Sequence, residues 1–305
     1  MTRVTDLASQ NLTLGHLRQA QARQRDAQLQ ISSGKTAQRY SGIAGQSAKL
    51  VSLEAEHTRT QRFVEGNKLV DQRLQKMESA VAAAGDLAAE LRTLLVNATN
   101  ASDADAVPLA EESERMIHQL AGLLNEKADG RHLFAGSRID VPPVDISALP
   151  ADGDFPGTAD AHYYRGDGAR ASVRASDQLT ITYGVTADEP AFEKLVRSIH
   201  LVRTADASDP AALSARLEEA LGLAEAAVNE IPDIRSRIGV ARNALEAETA
   251  RHEESLLYGE KAIGDIENVD VTEAITRLAA EQTTLQASYA ALARLQSLSL
   301  ADYLR

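Results

Sequence analysis

From Val70 onward, apolar residues return at alternating spacings of four and three: Val70, Leu74, Met77, Val81, Ala84, Ala88, Leu91 and Leu95, with Phe63 one heptad earlier. That period draws one narrow apolar stripe along a helix, the stripe two helices share when they wind around each other. The same alternation returns in the second half at Leu217, Ala220, Ala224, Ala227, Ile231, Ile234, Ile238, Ala241 and Leu245. Two matching seams in one chain predict a mainly α fold, a long antiparallel coiled-coil rod built from both chain halves. A helix running from about Gln46 to about Asn100 would span roughly 80 Å at 1.5 Å per residue.

Breaks in the pattern divide the chain. The stretch "NASDADAVP" ends the first long helix, and a second helix follows with Leu109, Met116, Ile117, Leu120, Leu123 and Leu124 on one side, able to fold back as a hairpin. Asp209-Pro210 is a helix start, with Asp as N-cap and Pro at the first helical position, while Pro232 should kink or divide the helix that follows. Between the halves, Pro-rich turns precede the alternating segments "AHYYR", "ARASVRA" and "QLTITY", which predict a small β meander. "PAFEKLVRSIHLV" then returns to helix, with Phe192, Leu195, Val196 and Ile199 on one side. The expected domains are terminal helices at 1–40 and 266–305, a helical rod at 41–135 and 205–265, and a β-rich insert with one short helix at 136–204.

The two ends carry incomplete stripes: Val4, Leu7, Leu14 and Leu17 near the start, and Val271, Ile275, Leu278, Leu285, Tyr289 and Leu292 near the end. A helix with one apolar face must bury it or stay marginal in water, so the ends should pack on each other or on another copy.

Motifs that suggest chemistry do not hold up. Gly34-Lys35-Thr36 ends like a phosphate-binding loop, but position 29 is Leu29 where the loop needs glycine, and the preceding residues read as helix rather than strand. Ser32-x-x-Lys35 lacks the companion elements of a penicillin-binding site. His252-Glu253-Glu254 lacks the second His of a zinc-protease helix, and with no Cys in the chain no thiolate chemistry is available. No cofactor or metal site is expected. A formal charge of −12 disfavours nucleic acid, and no apolar run approaches the length of a membrane span, so no membrane insertion is expected. Arg165-Gly166-Asp167 has the form of an adhesion tripeptide, but it reads first as a turn. The sequons at Asn11, Asn97 and Asn100 read as chance. Ser32, Ser33 and Gly34 instead read as a helix stop, since Gly readily takes the left-handed conformation there.

Residues 29–56, "LQISSGKTAQRYSGIAGQSAKLVSLEAE", resemble the N-terminal segment of bacterial flagellins, although "QRYSGIAG" stands where that family carries an Asn-Pro-Ser-Asp-Asp loop. Residues 266–305 resemble the flagellin C-terminal module, and Arg235, Arg237, Ile238 and Gly239 are similar to the family's central helix. Within the family, "GRHLFAGS", "SLADYL" and "YYRGDGARASVRASDQLTITYG" look more like the hook-associated junction branch than like filament flagellin.

The resemblance implies a non-enzymatic subunit outside the cell, exported without a cleaved signal peptide and joining hook to filament. Its implied partners are a neighbouring hook-associated protein, flagellin and copies of itself, with an export chaperone on the C-terminal helix. Filament flagellin is the near alternative and a nucleotide-binding helical enzyme the distant one. The implied assembly surface comprises Leu7, Leu14, Leu278, Leu285, Tyr289 and Leu292, with Ser32, Ser33 and Gly34 as the hinge beside it.

Overall fold

The computed structural model describes residues 2–100, 108–150, 157–206 and 208–303, with side chains described between Asn11 and Arg294. Among them are the helices α1 (Thr2–Ser33), α2 (Ser47–Asn100), α3 (Leu109–Leu124), α4 (Pro190–Arg203), α5 (Pro210–Glu267) and α6 (Val271–Tyr303). Two antiparallel hairpins pair β1 (Lys127–Ala128) with β2 (Arg131–His132) and β3 (Ser172–Arg174) with β4 (Thr180–Thr182). The fold is mainly α with a small β-containing insert. It divides into two compact units, one from Met1–Arg59 with Ser255–Arg305 and the other from Thr60–Glu254. The division therefore falls inside α2 and α5.

In the Thr60–Glu254 unit the two seams run through one core that also takes in the inward faces of α3 and α4 and buried residues of the insert. Every seam residue from Val70 to Leu95 and from Leu217 to Leu245 is buried, and Phe63 is half-buried. Alanines at many of these positions keep the facing side chains small. A Cβ added at Gly85 would come within 3.3 Å of the Ile231 methyl, so glycine there suits a close approach. One charged clamp accompanies this packing: Arg242 reaches Asp71 at 2.9 Å and Glu78 at 2.6 Å, two carboxylates one heptad apart on α2. A single slipped register would break both bonds at once. α5 is not divided at Pro232, contrary to one of the two outcomes expected there. Its neighbours Ile231 and Ile234 are buried in the seam, and that burial holds the helix together across the hydrogen bond that proline removes. At the other end of α5, Asp209 caps as expected, its carboxylate accepting from Ala211 and Ala212 N–H at 3.1 Å each.

The insert is knotted by side chains more than by strands. "AHYYR" forms no strand, only an isolated bridge between Val144 and Tyr164, which corrects the three-segment meander to a single β3–β4 hairpin. The facing segment holds Pro142 and Pro143, which have no N–H to extend a ladder, and Tyr163 and Tyr164 do not alternate in burial as strand neighbours should. Tyr163 is fully buried, with its hydroxyl donating to Ala187 O at 2.9 Å, and burial drives its pKa upward. Tyr164 donates to Asp167 O at 2.7 Å. Beneath them Phe134 meets Phe192 of α4 edge-on, with ring centroids 6.3 Å apart.

The β1–β2 hairpin lies in a stretch that the sequence reading assigned to the rod. Its turn residues, Asp129 and Gly130, both have positive φ, as a type I′ turn requires. Just before it, at the end of α3, the Asn125 amide grips the backbone of Val144 in both directions, at 2.9 Å as donor and 2.8 Å as acceptor. His132 Nδ1 donates to Asn125 O at 2.8 Å, and its Nε2 is buried without a hydrogen-bond partner.

Burial lowers the His132 pKa, so the folded unit favours the neutral ring more than the unfolded chain does. A depressed folded pKa contributes stability that is fully present above the unfolded value of about 6.5 and is lost as pH falls below it. His132→Gln is therefore expected to flatten the acid dependence of the unfolding midpoint in a urea titration series. An unchanged slope would show that His132 does not carry it.

Candidate functional site

The "ISSGKT" stretch is a joint between backbones. Ser32 and Ser33 end α1, their hydroxyls donating to Leu29 O at 3.1 and 2.7 Å. Gly34 follows with φ +71°, and its N–H closes onto Gln30 O at 2.9 Å. The next residues then pair with the α5–α6 connection: Val269 N–H donates to Gly34 O at 2.9 Å, and Thr36 N–H to Glu267 O at 2.7 Å. Lys35 forms an ion pair with Glu267 at 3.2 Å. The Gly34 and Thr36 N–H groups and the Lys35 ammonium are thus already engaged, so the groups a phosphate cradle would need are occupied by the protein itself.

Above this joint α1 and α6 run antiparallel and pack together. Gln21 donates to the Tyr289 hydroxyl at 2.7 Å, and Arg23 approaches Glu281 at 3.4 Å. The inward residues of α6 are Ala274, Leu278, Glu281, Leu285, Ser288 and Leu292, alternating four and three. On α1 they are Thr13, Leu17, Ala20, Gln24, Ala27 and Ile31. Only Ala20, Ala27, Ala274 and Leu285 are fully buried among the described side chains of the two helices.

Of the residues expected to form the assembly surface, Leu285 is buried, Leu278 and Leu292 are half-buried, and Leu14 and Tyr289 are 38% and 48% exposed. Leu7 lies in α1, but its side chain is outside the described residues. Sequence reasoning missed Ala20 and Ala27, which carry the inward face of α1. The signal was present as small residues seven apart, in register with Thr13.

The unit built from the chain ends leaves many large apolar side chains in the open: Leu12, Leu14, Leu29, Tyr40, Val51, Leu257, Tyr258, Val271, Ile275 and Tyr289. The larger Thr60–Glu254 unit leaves Leu69, Val96, Val141, Leu179 and Val240. Isolated exposed apolar residues are ordinary, whereas so many on the smaller unit are more than a lone chain usually leaves open. Among the described residues no cluster of metal-ligating side chains is present. No described helix is long and apolar enough to cross a membrane.

Arg165-Gly166-Asp167 is occupied internally. Arg165 pairs with Asp145 at 3.2 Å, while the Asp167 carboxylate takes the Ser137 hydroxyl, the Ser137 N–H at 2.8 Å and the Ala169 N–H at 3.0 Å. Those Ser137 bonds, foremost among several, hold the Asp167 carboxyl below the usual range. The tripeptide serves as a clamp on the turn at Gly136.

Comparison with known proteins accords with this geometry. Residues 4–138 match the bacterial flagellin N-terminal helical region, and residues 221–304 match the bacterial flagellin C-terminal helical region. The flagellar hook-associated protein 3 of Escherichia coli is 24% identical over 288 residues, covering 89% of this chain and 90% of that protein. Among solved structures, Bacillus cereus FlgL is similar at a TM-score of 0.55 and 16% identity, over 71% of this chain and 99% of its own. The flagellar junction protein FlgL of Legionella pneumophila is similar at 0.54 and 14%, over 70% and 98%. Those structures share the fold, and the two flagellin regions take in the whole first seam, the second from Ala224 onward and both paired ends: the chain belongs to the bacterial flagellin family.

Proposed function

We propose that this chain is a structural subunit of the bacterial flagellum that joins hook to filament, acting by assembly and without catalysis. The observation that carries the reading is the likeness to a hook-associated protein over nine-tenths of both chains, insert included. The physical support is the apolar surface left open on the unit of the chain ends. Contacts between unlike surfaces of successive subunits build helical arrays, and such contacts need exposed apolar area.

In this reading α1 and α6 lie towards the lumen of the polymer. Leu14 and Tyr289 face neighbouring subunits, Leu278, Leu285 and Leu292 hold the pair together, and Leu7 belongs to the same assembly surface by its sequence spacing alone. Ser32, Ser33 and Gly34 set the angle at which the pair leaves the long helices. The partners are a neighbouring hook-associated protein on one side, flagellin on the other and copies of this chain within the ring. An export chaperone would cover the apolar side of α6 before secretion, which would proceed without a cleaved signal peptide.

Immunogold labelling of intact flagella tests the proposal. A band confined to the hook tip is the expected result. Uniform decoration of the filament would replace this reading with that of a filament flagellin, as would long filaments grown from the purified protein alone in high salt.

A further inference from the structure

Two polar residues occupy core positions of the seams. Asn67 stands four residues after Phe63 and three before Val70, and His252 stands one heptad beyond Leu245. Asn67 is 1% exposed, and its side-chain oxygen is buried without a partner, so the position works against the seam that contains it. Leucine would satisfy the heptad better. What the two residues share is a single acceptor on the insert. Ala175 O, directly after β3, takes Asn67 Nδ2 at 3.1 Å and His252 Nε2 at 2.9 Å.

A carbonyl can only accept, so the Asn67 amide must turn its NH2 towards it and the His252 ring must carry its proton on Nε2. Phe63 stacks on that ring, with centroids 5.4 Å apart and planes 9° from parallel, and so fixes its direction. The acceptor is equally well aimed. Ala175 N–H bonds to Leu179 O at 2.9 Å and Arg174 donates to Asp177 O at 2.9 Å, closing the hairpin tip behind the carbonyl. The hairpin brings few apolar groups of its own to the core: Ile181 and Ala175 are buried there, with Val173 and Tyr183 part-buried against it. Its strands are three residues each, Ile181 is its one buried strand side chain, and a two-stranded hairpin is not stable alone in water.

We infer that Asn67 and His252 form a latch that seats the β3–β4 hairpin on the α2–α5 pair, determining where the insert docks at the expense of seam stability. A lone polar residue at a core heptad position has this kind of role when it selects one arrangement among several. Here the arrangement selected is that of the insert on the helices.

Hydrogen exchange on the full chain, read by mass spectrometry alongside the thermal midpoint, tests the latch. The combined Asn67→Leu, His252→Leu variant is expected to raise exchange in residues 169–184 by roughly tenfold or more, as loss of both bonds predicts. Exchange in 70–95 should not rise, and the midpoint should hold or increase. His252→Gln keeps an N–H donor at similar reach and is expected to retain the protection that His252→Leu loses. Unchanged protection of 169–184 in the double variant would overturn the proposal. So would a uniform loss across the unit with a lower midpoint, which is plain packing damage. A His252→Gln variant as unprotected as His252→Leu would also overturn it, because the ring stack and not the bond would then hold the hairpin.

Discussion

Leu285→Asp is expected to separate α1 from α6 and to abolish assembly while leaving the Thr60–Glu254 unit folded. Leu285 is 6% exposed and lies between the levels of the Gln21–Tyr289 and Arg23–Glu281 contacts. Around it the inward stripe is mostly alanine or polar, so Leu285 is the one large side chain fully buried there among the described residues. Removing a buried leucine costs about 2–5 kcal/mol, and a carboxylate left in its place adds a desolvation cost of its own. A two-helix pair with so thin a stripe has no comparable reserve. Circular dichroism should show lost helicity, and protease should cut within 11–33 and 271–294 while sparing 70–95. Cells carrying only the variant should lack attached filaments. Retained helicity together with attached filaments would show that the pairing of the ends is not what assembly depends on.

Gly136→Ala should destabilise the larger unit far more than Gly34→Ala destabilises the joint, although the two glycines have nearly the same φ, +68° and +71°. At Gly34 an added Cβ meets nothing within 4 Å, so the cost is that of a left-handed alanine, about 1–2 kcal/mol. At Gly136 the Cβ would overlap the backbone carbonyl of Asp167 and its carboxylate. The turn holding Asp167 must then move, which breaks its bonds to Ser137 and shifts Phe134 and Ala135, both fully buried. The total should exceed about 3 kcal/mol, the strain of the left-handed residue adding to overpacking. Urea midpoints of the two variants measure the difference directly. Equal losses would mean that the Asp167 turn yields freely and does not clamp the insert.

Much of the helical architecture was readable because its signals are local and periodic. The limits of α2, the inward faces of α3 and α4, and the Asp209 cap all follow from spacings within a few residues. The same local reasoning misplaced "AHYYR", whose strand would have needed a partner able to donate, and Pro143 cannot. It also passed over Asp129-Gly130, a strong hairpin signal hidden inside a stretch assigned to the rod.

By itself, the amino-acid order determined that this chain would be long helices with two thin seams and greasy ends, because a period of three and four is written residue by residue. The tertiary structure decided three further things: that Ala20 and Ala27, not Leu14, turn inward on α1; that Asn67 and His252 sit in the seam to hold a distant carbonyl; and that Asp167 closes the turn at Gly136. Each depends on an atom tens to hundreds of residues away, and a polar side chain shows its worth only once its partner has been brought to within about 3 Å.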